Sequence, residues 1–277
     1  MMKSLTIGIV TRGRRELVQW TALETLRNVR EAGTKIVVLA DHDDDDMLRA
    51  VMPEGVTLDI RQREDSVGAK WNRMMTIAPA DVYMAMCDYR PQSTPGFDTA
   101  ILDAARIFPD GIGCVTQRLA NISFPTYQCL TAKTVALMGR FYVECFPYWF
   151  VDHWLDDLCR MTGRAVYAPG ETSVGKRPGP GTQDFREPGL WASLYDAMYE
   201  EREADAEKWL AAMDEPEWRK DMLRRNWPMV HERSRMINSI VRNMEGNASF
   251  DERYNRIRAA GVAKLTAKFE ELERRAA

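Results

Sequence analysis

From residue 1 to about residue 168, short apolar runs rich in β-branched residues alternate with segments whose apolar residues recur at helical spacing. Strands that are apolar on both faces need helices on both sides, so the alternation predicts an α/β fold with a mostly parallel central sheet. Lys3 to Thr11 reads as a buried strand, Val18, Ala22, Leu26 and Val29 mark the helix after it, and Gly33 marks its stop. Lys35 to Ala40 and Val56 to Ile60 are the next strands, and Ser66-Val67-Gly68 opens a helix with Trp71, Met74, Met75 and Ala78 on one face. Val82 to Cys87 is a fully apolar strand, followed by a helix carrying Phe97, Ile101, Ala105 and Phe108 and a strand from Ile112 to Thr116. A mixed stretch from Ile122 to Leu130, a short helix near Thr131 to Met138 and an aromatic segment from Phe141 to Phe150 come next.

The pattern changes near residue 174. Val174 to Pro188 is rich in Gly, Pro and charge and reads as a loop or linker, with Lys176 and Arg177 as cations that could reach a ligand. Beyond Gly189 the chain is dense in Glu, Arg, Lys, Ala, Met and Trp, which predicts a helical C-terminal extension. The expected division is a domain at 1–186 and the extension at 187–277. Such an extension either packs on the parent domain or forms a homodimer.

Several function classes fall away on composition and motifs. The first βα turn is Thr11-Arg12-Gly13-Arg14 and lacks the glycine fingerprint of dinucleotide-binding dehydrogenases, and no phosphate-binding P-loop occurs. Five cysteines with no CxxC pair argue against a disulfide framework or a zinc site and predict a reducing compartment. The run Leu5 to Val10 reads as a strand rather than a signal-peptide core or a transmembrane segment, so the expectation is a soluble, cytoplasmic protein. A net charge of −3 gives no global pull toward nucleic acid.

The chemistry-bearing residues gather where strands end. The first strand ends in Thr11-Arg12-Gly13-Arg14, the second in Asp41 and the acidic run to Asp46, and the fourth in Asp88-Tyr89-Arg90, with Lys70 on the intervening helix. In this order the segments Leu5 to Arg14, Ile36 to Asp44, Gly68 to Met75 and Val82 to Arg90 resemble the GT-A glycosyltransferases, particularly family 2. The resemblance covers about the first 170 residues. It implies a three-layer α/β/α nucleotide-diphospho-sugar transferase fold and a donor held by Thr11, Arg12, Arg14, Asp41, Lys70, Asp88 and Arg90, with Asp41 on the pyrimidine or ribose. It also implies Mn²⁺ or Mg²⁺ on Asp88, although Arg90 stands where the family's second acid belongs. Either water, the donor phosphates and a distant residue such as Asp152 or His153 complete the metal shell, or Arg90 supplies the positive charge itself.

From the residues alone, Asp43 to Asp46 read as a solvated face or a helix start, and Lys70 and Arg73 should point away from the core face carrying Trp71, either toward a pyrophosphate or as ordinary surface bases. Asp152 follows the aromatic run Phe146-Pro147-Tyr148-Trp149-Phe150 and reads as a helix N-cap whose pKa neighbouring Trp149 and Trp154 should raise. The resemblance implies that it is the catalytic base, and Tyr148, Trp149 and His153 are the expected acceptor contacts. Asp156 and Asp157 read as solvated helix residues or partners for Arg160.

The expected function is transfer of a hexosyl or pentosyl group, from UDP or another nucleotide, to an acceptor hydroxyl with inversion. The acceptor stays open among a saccharide, a lipid and a modified DNA base. Two other readings remain. One is a degenerate GT-A domain that binds nucleotide or glycan without catalysis. The other is a glycosyltransferase for hydroxymethylpyrimidine in DNA, facing it with Arg219, Lys220, Arg224 and Arg225.

Overall fold

A computed structural model describes residues 2–118, 125–172, 187–242 and 252–276. Its contacts divide the chain into two compact units, one of Met1–Tyr142 with Arg164–Arg177 and one of Val143–Gly163 with Pro178–Ala277.

The first unit carries the sheet. Strands β1 (Leu5–Val10), β2 (Thr34–Asp41), β3 (Val56–Arg61), β4 (Val82–Cys87), β5 (Cys114–Arg118), β6 (Pro125–Thr131) and β7 (Ala165–Tyr167) lie in the order β3-β2-β1-β4-β6-β5-β7. β3, β2, β1 and β4 pair in parallel, β6 runs antiparallel to both its neighbours, and β7 pairs in parallel with β5. The sheet is therefore mostly parallel with one reversed strand. The mixed stretch of the sequence is that strand, and β7 is a second strand the sequence pattern did not signal.

The helices of this unit are α1 (Arg15–Arg27), α2 (Val67–Asn72), α3 (Met74–Ile77), α4 (Phe97–Ala105) and α5 (Ala132–Met138). The expected single helix after Ser66 is thus two short ones, with the Ser66 hydroxyl capping the first by accepting from Ala69 N at 3.0 Å. α2 and α3 sit close over β1. The Trp71 indole donates to Gly8 O at 3.0 Å, and a Cβ on Gly8 would lie 2.7 Å from the Met74 sulfur, so a larger residue there would force the Met74 side chain to shift. Leu5, Ile7 and Ile9 of β1, Val38 of β2 and Met84 of β4 are wholly buried, which anchors the strand ends that carry the charged residues.

The second unit is helical: α6 (Val151–Thr162), α7 (Pro188–Ala197), α8 (Tyr199–Ala212), α9 (Glu217–Arg225), α10 (Trp227–Arg242) and α11 (Glu252–Ala276). α6 packs on α8, α9 and α10, and α7 packs on α10 and α11 around Phe146, Trp191, Tyr195 and Trp209. Among the described residues no helix is long and apolar enough to cross a membrane. Most of the expected linker, with Lys176 and Arg177, lies outside the described residues.

Candidate nucleotide site

In open α/β sheets ligands collect beyond the carboxyl ends of parallel strands, and β1, β2 and β4 deliver their charged residues to that edge. The loop after β1 is built by the acidic run after β2. Asp44 Oδ2 accepts from Gly13 N at 2.8 Å and Asp46 Oδ2 from Arg15 N at 2.8 Å, while Asp44 Oδ1 accepts from Met47 N at 3.3 Å. Gly13 has φ +63°, a left-handed conformation that favours glycine, so the tip of this loop is fixed by residue type as well as by bonds. Within this run Asp43 and Asp45 are exposed and Asp46 precedes the helical turn Met47–Arg49, as expected of a solvated face or helix start, whereas Asp44 is buried, because its carboxylate fastens the neighbouring loop.

The loop presents three side chains. The Thr11 hydroxyl donates to Asp88 Oδ2 at 2.8 Å, and Arg14 Nη1 donates to Asp88 Oδ1 at 3.0 Å. Arg12 bridges Asp41 Oδ2 at 3.2 Å and Asp43 Oδ1 at 2.6 Å. Lys70 is buried, with Nζ 2.6 Å from the same Asp41 Oδ2, so it is no ordinary surface base and its charge joins this cluster. Arg73 is buried too, held by Asp59, Glu64 and the Ala40 carbonyl, and it fixes β3 to α3 rather than facing a ligand. The structure thus brings Thr11, Arg12, Arg14, Asp41, Lys70 and Asp88 together.

One member of this cluster is chemically open, and so is Arg90, three residues past β4. Asp41 has no exposed surface and both its cations share one oxygen, while Oδ1 is buried with no hydrogen-bond partner. An unsatisfied buried acceptor is costly, and it suits a donor group arriving with a ligand. Arg90 Nε is likewise buried without a partner, and its guanidinium lies 5.5 Å from the Tyr89 ring centroid. Asp88 differs: burial pushes its carboxyl above the usual range, and Arg14 with the Thr11 hydroxyl offsets only part of that shift.

Neither a protein-family model nor a curated protein sequence matches the chain. Solved structures do. Residues 1–349 of S. aureus TarS in complex with UDP-GlcNAc align over 95% of this chain and 81% of that one, at 11% identity and a TM-score of 0.57. The mannosyltransferase PcManGT from Pyrobaculum calidifontis, in complex with GDP-Man and Mn²⁺, aligns over 100% of this chain and 80% of that one, at 13% identity and a TM-score of 0.51. The chain has the GT-A glycosyltransferase fold.

On this GT-A fold the expected metal position is Asp88, and the side chains around it do not form a metal set. Both carboxylate oxygens of Asp88 are engaged, a guanidinium stands 3.0 Å away, and Arg90 occupies the next candidate position. Among the described residues no group of three His, Cys, Asp or Glu is placed to hold a cation. A hard divalent ion needs several oxygen ligands, so Asp88 alone is a poor anchor.

In the helical unit Asp152 lies in the first turn of α6, but the N-cap is Phe150, a buried residue at φ +71°. A non-glycine residue in that region is strained, and such strain concentrates at functional positions. Asp152 Oδ1 accepts from His153 N and faces His153 Nδ1, both at 3.0 Å. The expected upward pKa shift is reversed. Desolvation opposes ionisation of Asp152, but the His153 charge and hydrogen bonds outweigh it and hold the carboxyl below its usual value. His153 is raised in turn, since the Asp152 charge and hydrogen bond, with Asp157 and Asp156, overcome the burial that would lower it. Tyr148 and Trp149 are half-buried.

Asp156 and Asp157 are buried rather than solvated, and Asp156 does take Arg160 at 2.8 Å. The bases offered as a DNA-facing patch are largely neutralised: Arg224 binds Glu207, Glu217 and Asp221, Arg219 binds Glu215, and Lys220 is buried.

Proposed function

We propose that the chain transfers a sugar from a nucleotide-sugar donor to an acceptor hydroxyl with inversion at the anomeric carbon. The observation that carries this reading is Asp41, a fully buried carboxylate at the ligand-binding edge of the sheet with one oxygen unpartnered. A nucleobase N–H or a ribose hydroxyl satisfies such an acceptor, and Lys70 and Arg12 hold the carboxylate in place to receive it. The UDP-GlcNAc and GDP-Man complexes among the neighbours support a nucleoside diphosphate as the carrier. Thr11, Arg14, Asp88 and Arg90 complete the donor site in this reading.

In the transfer step the acceptor oxygen bonds to the anomeric carbon from the face opposite the leaving group. The bond to the diphosphate breaks with its electron pair leaving on oxygen, and the acceptor proton passes to Asp152. A carboxylate held low by His153 is ionised at neutral pH and ready to accept that proton. Tyr148, Trp149 and His153 are the residues proposed to contact the acceptor.

Thermal shift of the purified chain against UDP-, GDP-, CMP- and dTDP-sugars tests the donor site, because a ligand that binds only the native state raises its stability. One nucleotide series should raise Tm; a flat response across the whole panel would overturn the reading. For the base, Asp152→Asn should lower kcat by about 10²- to 10⁴-fold and leave the donor-induced shift intact. Turnover of the donor to free nucleoside diphosphate without acceptor separates a transferase from a domain that only binds, the second reading that Arg90 in place of an acid keeps in view.

A further inference from the structure

The charge of a departing nucleoside diphosphate grows by about one to two units as the bond to the sugar breaks, and something at the site must offset it. Three observations identify what that is in this chain. Asp88 is committed inside the protein: Oδ1 to Arg14 at 3.0 Å, Oδ2 to the Thr11 hydroxyl at 2.8 Å, and its carbonyl to the Thr21 hydroxyl at 2.8 Å. Freeing either carboxylate oxygen for a cation would break a buried bond and place that cation beside a guanidinium. Arg90, two residues on, has a buried Nε with no hydrogen-bond partner. The Arg14 side chain, which Asp88 holds at the tip of the loop, remains 24% exposed.

We propose that this chain binds the diphosphate of its donor directly through guanidinium groups, Arg90 and Arg14, and that donor binding requires no divalent cation. A guanidinium stays protonated at any working pH and offers paired N–H donors that match two phosphate oxygens at once. Asp88 acts as a positioning residue for Arg14, and its two bonds hold the loop and the cation in one place. The residue in the third position of Asp88-Tyr89-Arg90 then contributes the positive charge that a second acid would otherwise recruit through a metal. This inference rests on the nucleotide-sugar reading.

The test is isothermal titration of the full chain with UDP and GDP, in EDTA and again in Mn²⁺. The expected result is a Kd in EDTA within about threefold of that in Mn²⁺, a difference under 1 kcal/mol. Arg90→Ala should weaken the nucleoside diphosphate by about tenfold or more, the range for one charge-assisted hydrogen bond, while the affinity for the free nucleoside stays unchanged. Arg90→Lys, which keeps the charge and loses the fork, should fall between. Arg90→Asp should abolish binding in EDTA, because it replaces the proposed cation with an anion.

Wild-type binding that appears only with Mn²⁺ would overturn this inference and leave the nucleotide-sugar reading standing. So would an Arg90→Ala variant of unchanged Tm and unchanged affinity. Absence of binding in both buffers would remove the nucleotide-sugar reading and this inference with it.

Discussion

Each unit contains a fully buried aspartate among cations, and the two are built to opposite ends. Asp157, in the helical unit, is closed: both carboxylate oxygens are bonded, although Arg202 Nε beside it has no hydrogen-bond partner. Ser234 donates to Oδ1 and Oδ2 at 2.8 and 2.9 Å, Tyr195 donates to Oδ2 at 2.6 Å, and Arg202 Nε stands 3.4 Å from Oδ2. Arg202 also lies 4.0 Å from the Tyr195 ring centroid, so the ion pair is sealed beneath aromatic surface. Asp41, in the sheet unit, is open: Lys70 and Arg12 crowd one oxygen and leave the other without a partner. Burial alone therefore does not mark a functional charge. A closed carboxylate specifies packing, whereas an open one carries an unmet hydrogen bond that a ligand can complete.

The comparison breaks most visibly under substitution at Asp157. Asp157→Ala leaves Arg202 buried without its counter-charge, and unfolding experiments should read a loss of about 3–5 kcal/mol. Nucleotide affinity of the folded protein should not change; a variant of wild-type Tm would remove Asp157 from the closed class. At Asp41 the order of effects should invert. Asp41→Asn keeps volume and an acceptor but loses charge, so stability should drop by about 1–3 kcal/mol while the Tm rise on adding nucleotide largely disappears. That rise corresponds to about 2.7 kcal/mol for the wild type at a hundredfold excess over Kd. If Asp41→Asn retained the full ligand-induced shift, the unpartnered oxygen would have no role in binding.

The sheet was readable from sequence wherever strands are uniformly apolar, as in β1, β2 and β4. β6 was not, because Gln128 interrupts its pattern; the side chain is fully buried, with its Oε1 accepting from the Tyr142 hydroxyl at 3.0 Å. β7 spans only Ala165–Tyr167 and offers too short a run for any periodicity. At the site, strand ends located Thr11, Asp41 and Asp88, since a polar residue closing an apolar strand is a local signal. The pairing of Lys70 with Asp41 joins residues 29 positions apart, and no spacing rule reaches that far. Helical periodicity placed Lys70 on the polar side of α2, yet the partner that buries it comes from another strand. The part Asp44 and Asp46 play in building the loop after β1 is hidden for the same reason, because the N–H groups they accept from lie 31 positions earlier.

That loop offers a smaller prediction. Asp44 caps two backbone donors, Gly13 N and Met47 N, in the way a helix N-cap side chain does. Asp44→Ala should cost about 1–2 kcal/mol. Its more telling consequence is local: amide exchange at Gly13 and Met47 should accelerate more than exchange in β1. Equal acceleration across β1 would mean that Asp44 supports the whole sheet edge rather than the loop that presents Arg12 and Arg14.

The smallest expected effect separates the outer edge of the open cluster from its centre. Asp43 is 38% exposed and bonds Arg12 at 2.6 Å and Arg63 at 3.3 Å. The Arg12 hydrogen bond dominates and holds its carboxyl at about 2, below the ordinary value of 3.8. A depressed native pKa contributes stability that is present above the unfolded value and lost as pH falls through the native one. The contribution of Asp43 should accordingly be complete above about pH 4 and vanish by about pH 2. Solvent screening at so exposed a pair limits it to under about 1 kcal/mol. Asp43→Asn should lower the neutral plateau by that same amount, under about 1 kcal/mol, leave stability near pH 2 unchanged, and so flatten the acid limb between those pH values. A variant that instead lost nucleotide-induced stabilisation at neutral pH would extend the open cluster outward from Asp41 to include Asp43.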